Sequence, residues 1–304
     1  MRLGIFGLGR MGANMARRLS RGGIEVVAHN RSTAPIDELV GSEAHITAAY
    51  SLADLVAQLP SPRIVWLMLP SGEITEAAIT QVLPLLTAGD LLIDGGNSMY
   101  KDTIARAARV QQSGVQYMDV GTSGGVWGLN NGYSLMFGGS DEAAALITPA
   151  IQVLAPAPDH GWGHVGPVGS GHFTKMVHNG IEYGMMQSLA EGLAMLRAKK
   201  EFDLDLAQIT ELWRDGSVVQ SWLLDLTAEA LAAQGQGLAH IAPVVADSGE
   251  GRWTAKEAID LGVAAPVMTL ALQMRFASQD DEGYGNRLLS LMRNAFGGHA
   301  IVKK

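Results

Sequence analysis

Three glycines within six residues, Gly7-Leu8-Gly9-Arg10-Met11-Gly12, separate a short apolar run from a helical pattern, and they constrain this chain more than any other feature. A strand that turns directly into a helix needs each glycine for a different reason. Gly7 makes the tight turn, Gly9 lets the backbone come close to a ligand, and Gly12 lets the helix pack against the strand. The spacing predicts a strand over 3–7 and a helix over 11–20, with a second strand at Glu25–His29. A helix that starts this way offers free N–H groups and a partial positive charge to an anion. The pattern is that of a βαβ unit holding a dinucleotide pyrophosphate on Gly7, Leu8, Gly9, Arg10, Met11 and Gly12.

The alternation of strand and helix continues through the first half. Further strands are expected at 64–69, Leu91–Asp94, 116–119 and 132–139, with a helix over Asp141–Leu154 capped by Ser140 or Asp141. Runs such as Ile64-Val65-Trp66-Leu67-Met68-Leu69 do not alternate apolar with polar residues, as expected of parallel strands covered on both faces. A Pro/Gly-rich stretch over 155–171 ends this regime, and beyond it only helical patterns remain. One long helix is expected over 172–199, with shorter ones over 206–215, 218–233, 254–261 and 267–278. The expected fold is α/β: an N-terminal Rossmann-like, doubly wound sheet over residues 1–165, then an all-α domain over 166–304 that the long helix enters.

Composition narrows the function. With 47% hydrophobic and 17% charged residues among 304, the chain has ample core material for two domains. A net charge of −8 argues against an extended nucleic-acid surface. Without cysteine there is no disulfide, no thiolate zinc site and no cysteine nucleophile. Glycines break the N-terminus before a signal-like apolar run develops, and no stretch of about 18 apolar residues occurs. A cytoplasmic enzyme without membrane or nucleic-acid partners is the expectation. The second strand ends in Asn30-Arg31-Ser32-Thr33, where sites for NAD usually present a carboxylate to the ribose. Arg31 can instead pair with a 2′-phosphate, with Asn30 and Ser32 as hydrogen-bond donors, so NADP is favoured while NAD stays open.

The chemistry concentrates at the start of the long helix. Lys175, His178, Asn179 and Glu182 fall at i, i+3, i+4 and i+7, on one face, with Met176, Val177 and Ile181 between them. One amine, one imidazole, one amide and one carboxylate beside apolar groups suit acid–base work on a hydroxy acid. A partly desolvated lysine can lose its proton and accept one from a substrate hydroxyl. Asp94-Gly95-Gly96-Asn97-Ser98 and Gly121-Thr122-Ser123-Gly124-Gly125 each end a strand at the sheet edge where doubly wound folds bind ligands.

Taken together, GLGRMGANM, NRS, DGGNS, SGG, GSGHFTKMVHNGIEYG, DSGEGRWT and RNAFGGH resemble the decarboxylating 6-phosphogluconate dehydrogenases, in order over most of the chain and in the manner of their short-chain branch. The resemblance implies oxidative decarboxylation of a phosphorylated sugar acid with reduction of NADP or NAD, and no metal. Lys175 would be the general base and Glu182 the acid that protonates the product carbon. Asn97, Ser123, Gly124, Gly125, His178 and Asn179 would hold the substrate's carboxylate and hydroxyls, Asn97 facing the cofactor too. Tyr183, Arg252 and Thr254 would bind the phosphate, with Arg275 a further ligand or else a helix-surface salt bridge. Arg293 and His299 would reach a neighbouring subunit's site, which implies a homodimer or homotetramer. Two alternatives remain: a β-hydroxyacid dehydrogenase of the 3-hydroxyisobutyrate or tartronate-semialdehyde type, and a catalytically silent NADP-binding protein.

Overall fold

The apolar runs of the first half come together as one sheet. The computed structural model describes residues 1–302, and its elements begin β1 (Arg2–Phe6), α1 (Arg10–Arg21), β2 (Glu25–His29), α2 (Ala34–Ser42), β3 (Ile46–Ala49), α3 (Leu52–Ala57) and β4 (Ile64–Leu67). They continue with α4 (Glu73–Val82), β5 (Leu91–Asp94), α5 (Tyr100–Gln111), β6 (Gln116–Ser123), α6 (Gly128–Asn131), β7 (Ser134–Gly138), α7 (Asp141–Leu154) and β8 (Trp162–Gly166). The sheet order is β3-β2-β1-β4-β5-β6-β7-β8. Every neighbouring pair is parallel except β6 and β7. The order reverses between β1 and β4, and ligands of such sheets bind outside the strand ends at that point.

Strand alternation sends neighbouring residues to opposite faces, so two cores result. Leu3, Ile5, Trp66 and Ile93 join Met15 and Leu19 of α1 and Ile147 and Ile151 of α7 on one face. Val65, Leu67, Leu92 and Tyr117 join Leu55, Ile79 and Val110 on the other. The helix over Asp141–Leu154 begins as the sequence leads one to expect, with the Ser140 hydroxyl accepting from the Ala143 amide.

Differences from the sequence reading have local causes. β3 and β8 escape it because both lie toward the sheet's edges and carry few large apolar residues: β3 is Ile-Thr-Ala-Ala and β8 is Trp-Gly-His-Val-Gly. β6 does not stop at Asp119 but runs on to Ser123, because β7 returns antiparallel alongside it and pairs Ser123 with Ser134. Gly121 is therefore a strand residue, not part of a turn.

The chain divides into two compact units, Met1–His178 and Asn179–Lys304, and the division falls inside the long helix α8 (Ser170–Ala198). The second unit is helical, with α9 (Leu206–Trp213), α10 (Trp222–Gln234), α11 (Glu250–Asp260), α12 (Pro266–Ser278) and α13 (Tyr284–Gly297). Within it α9 packs on α10 and α11 on α12. Tyr183, Ala255, Ala271 and Leu272 form a small buried cluster. α13 was not expected, since its apolar residues are flanked by Gly283 and Gly285 on one side and Gly297 and Gly298 on the other. Among the described residues no helix is long and apolar enough to cross a membrane.

Candidate active site

The glycine loop has the geometry its sequence calls for. Gly7 sits at φ +109°, and a Cβ there would lie 2.4 Å from the Met68 carbonyl oxygen. A Cβ on Gly12 would lie 2.0 Å from the Gly7 oxygen, so only glycine allows this helix start to touch the turn. Gly9 differs: it is exposed, and a Cβ there would meet nothing within 4 Å. Gly9 is also the N-cap of α1, with no side-chain cap and no acidic residue in the first turn. An open, uncapped helix start with room beside Gly9 fits a dinucleotide pyrophosphate. Arg10 is exposed and Met11 packs back against the core.

Asn30 ties this loop to the end of β2. Its Oδ1 accepts from the Leu8 amide at 3.1 Å, while its Nδ2 donates to the Ser32 carbonyl at 3.2 Å and the Ser32 hydroxyl at 3.0 Å. Both ends of the amide are thus engaged within the protein, and Arg31 and Ser32 stand exposed beyond it.

Asn97 is exposed on the loop after β5, and a buried carboxylate shapes that loop. Asp94, fully buried, accepts from the Gly96 amide at 3.1 Å, the Ser98 hydroxyl at 2.9 Å and Arg106 at 3.3 Å. At the end of β6 the same unit brings three expected residues together. A Cβ on Gly121 would lie 2.5 Å from the Lys175 Cβ, so the lysine's backbone is seated directly on the strand. The Ser123 hydroxyl lies 3.4 Å from His178 Nε2. Gly124 and Gly125 follow at φ +129° and +53°, turning the chain away from the strand end.

α8 carries Lys175, His178, Asn179 and Glu182 on one continuous helix, all half-buried. In the second unit, Tyr183 is 5% exposed and its hydroxyl lies 3.1 Å from the Ser248 hydroxyl and 3.4 Å from Asp247. The Arg275 guanidinium stacks 3.4 Å over the Tyr183 ring and donates to the Ala246 carbonyl. It is therefore not the surface salt bridge weighed from the sequence. Arg252 pairs with Asp247 and lies over the Phe276 ring. Burial works to raise the Asp247 carboxyl, but Arg252, the Gly249 amide and Tyr183 bring it below its ordinary value. Tyr183, Arg252 and Arg275 thus gather around one loop, 246–248. Thr254 is buried against Gly180, where a Cβ would lie 2.6 Å from its Cγ2, and its hydroxyl donates to the Glu250 carbonyl. Arg293 and His299 are exposed, on α13 and just after it. Asp94 and Asp247 went unremarked in sequence as organising residues, although each stands beside a glycine-containing loop that it folds.

Two family models match this chain. One, described as the NAD binding domain of 6-phosphogluconate dehydrogenase, covers residues 2–164, and the other, its C-terminal domain, covers 171–300. The chain belongs to the 6-phosphogluconate dehydrogenase family. As a 6-phosphogluconate dehydrogenase family member it is an oxidoreductase with a nicotinamide dinucleotide cofactor. A Haloferax volcanii relative named 6-phosphogluconate dehydrogenase, NAD(+)-dependent, decarboxylating is 39% identical over 304 residues, covering all of this chain and 99% of that one. The solved Plasmodium falciparum 6-phosphogluconate dehydrogenase, described in apo form and with NADP+ or 6-phosphogluconate, superposes with a TM-score of 0.84 at 28% identity. That match covers all of this chain and 66% of the other, so this family member spans about two thirds of the longer enzyme. A Mycobacterium tuberculosis 3-hydroxyisobutyrate dehydrogenase shares the fold, at TM-score 0.71 and 20% identity over 92% of this chain and 94% of that one.

The contrast between Gly9 and Gly12 makes a prediction about the dinucleotide loop of this family member. Gly9→Ala should leave the melting temperature within a few degrees but weaken NADPH binding by ~10-fold or more, because the added methyl occupies the ligand's approach. Gly12→Ala should instead cost about 1–3 kcal/mol of stability, since backbone must move to make room. Calorimetry with NADPH titration reads both, and equal stability losses for the two variants would contradict the assignment.

Proposed function

We propose that this chain oxidatively decarboxylates 6-phospho-D-gluconate to D-ribulose 5-phosphate and CO2. The observation that carries the reading is the seating of Lys175 on Gly121, beside Ser123 and His178, at a strand end of a dinucleotide-binding sheet. Residues 1–165 would hold the dinucleotide, and 166–304 would carry the sugar acid and assembly.

The bound dinucleotide supplies the hydride acceptor; the chain's own residues move the protons. Lys175 takes the proton of the substrate's 3-hydroxyl as C3 is oxidised. The product is a β-keto acid, whose neighbouring ketone can accept the electron pair left by CO2. Lys175, now protonated, donates to that carbonyl oxygen as the carboxylate departs. Glu182, two turns along the same helix, then protonates C1 of the enediol. Asn97, Ser123, Gly124, Gly125, His178 and Asn179 hold the substrate's carboxylate and hydroxyls. Tyr183, Arg252, Thr254 and Arg275 provide the phosphate pocket, supported by the convergence of two arginines and a tyrosine on one loop. A small unphosphorylated hydroxy acid would have no use for that pair of arginines, which disfavours the 3-hydroxyisobutyrate type of activity.

NADP is the proposed cofactor, with exposed Arg31 receiving the 2′-phosphate. NAD is a second reading, favoured by the name of the full-length Haloferax relative. The proposed assembly is a homodimer or homotetramer in which Arg293 and His299 complete a neighbour's site. In its support, Leu288, Leu289, Leu291 and Met292 on α13 are all between 43% and 56% exposed. Light scattering on the purified chain tests this directly, and a fully active monomer would overturn it.

Absorbance at 340 nm should rise when 6-phosphogluconate and NADP are supplied together. Lys175→Met should cut turnover by roughly 10²–10⁴-fold while leaving NADPH affinity nearly unchanged; substantial residual turnover would remove Lys175 from the role of base. NADPH binding without turnover of 6-phosphogluconate on either cofactor would favour the silent alternative. Arg31→Ala should lower the NADP-to-NAD ratio of kcat/KM by about 10- to 100-fold. An unchanged ratio would exclude Arg31 from cofactor choice.

A further inference from the structure

Resting on the assignment of Lys175 as base, we propose that Asp119 is a positioning residue that fixes the catalytic helix on the sheet. Gly169 immediately precedes helix α8, and its carbonyl accepts the first helical bond, from Phe173. Gly169 lies at φ +94° and a Cβ there would press on Ile104 at 2.7 Å, so it offers no side chain to cap the helix. Asp119 supplies the cap from strand β6. Its Oδ1 accepts from the Gly169 amide at 2.6 Å and its Oδ2 from the His172 amide at 2.7 Å. These are the two donors, at N-cap and N3, that a capping box satisfies with two side chains of the helix itself. Here one carboxylate, 0% exposed and 50 residues earlier in sequence, does both.

The contact repeats along the strand. Residues 119, 121 and 123 of β6 share one face. Asp119 meets the amide of His172, Gly121 meets Lys175, and Ser123 meets His178. Three successive inward positions of the strand thus engage helix residues spaced three apart. Glycine clears the way for this approach. A Cβ on Gly171 would lie 2.7 Å from the Met136 oxygen, and one on Gly138 would lie 2.4 Å from the Pro167 oxygen. The cap sets the register at one end, and that register places Lys175 and His178 at the strand's other end. Arg106 and Ser98 hold the neighbouring Asp94 separately, so Asp119 is free to serve the helix.

Asp119→Asn in the full chain keeps the shape but replaces one acceptor with a donor facing an amide. Hydrogen exchange should accelerate at residues 169–175 while β5 and β6 stay protected. Turnover, normalised to NADPH-binding capacity, should fall on the order of 100-fold, as a displaced reacting group does. The KM for 6-phosphogluconate should change far less. The primary deuterium isotope effect on kcat for substrate labelled at C3 should rise, because hydride transfer becomes slower relative to product release. A loosened helix start with unchanged normalised kcat and isotope effect would overturn the positioning role, and unchanged exchange would overturn the cap. Gly121→Ala, which pushes Lys175 off the strand with Asp119 intact, should give the same kinetic signature. Should Asp119→Asn not fold, an unaltered kcat in Gly121→Ala would overturn the proposal. A wild-type chain that binds NADPH but leaves 6-phosphogluconate unturned would sink the assigned reaction, while the exchange result would still read the cap.

Discussion

The proposed chemistry of Lys175 and His178 depends on one close approach, the first turns of α8 against the backbone of β6 and β7. Packed layers are held apart by the side chains between them, about 10 Å for two stacked sheets. Here glycines at 121, 138 and 171 remove those side chains, and a buried aspartate satisfies the helix amides that the approach would otherwise strand without water. A buried, unsatisfied amide costs about 1–3 kcal/mol, so the cap is needed for the approach to be stable. The result is a lysine whose backbone cannot slide along the strand.

The same device recurs in milder form elsewhere. Asp94 folds the loop that presents Asn97, and Asn30 ties the glycine loop to the end of β2. Asp247 gathers Arg252 and Tyr183 around residues 246–248. In each case a buried or half-buried polar group commits its hydrogen bonds to backbone or to its neighbours, and a proposed ligand residue follows it: Arg31 one residue after Asn30, Asn97 three after Asp94, and Arg252 five after Asp247. On the proposed function, this division separates residues that hold the backbone from residues that meet a ligand. It also explains why short polar motifs are informative here: in these three loops the holder and a proposed ligand residue lie within a few residues of each other.

That proximity decides how much was legible before the structure. GLGRMG could be read because strand, turn and helix start are contiguous, and the long helix because its polar residues repeat at helical spacing over one face. The parallel sheet followed from unbroken apolar runs such as residues 64–69. What could not be read is tertiary. Asp119 is a lone carboxylate in an apolar strand, and its partners lie 50 and 53 residues away. Gly121 resembled a turn glycine because its reason for being glycine is Lys175, on a different element. Arg275 could be placed only when its ring partner, Tyr183, was seen beneath it. Edge strands β3 and β8 carry too few apolar residues to announce themselves, since half of what defines them is a neighbour's backbone.

In the proposed reaction, Lys175 and Glu182 on one helix carry the three proton transfers of a decarboxylating oxidation. Supplying 6-phosphogluconate labelled with ¹³C at C1, and measuring labelled CO2 against NADPH formed, tests it most directly. One CO2 should be released for each NADPH, with ribulose 5-phosphate as the remaining product. NADPH formed without CO2, leaving a stable keto acid, would contradict it.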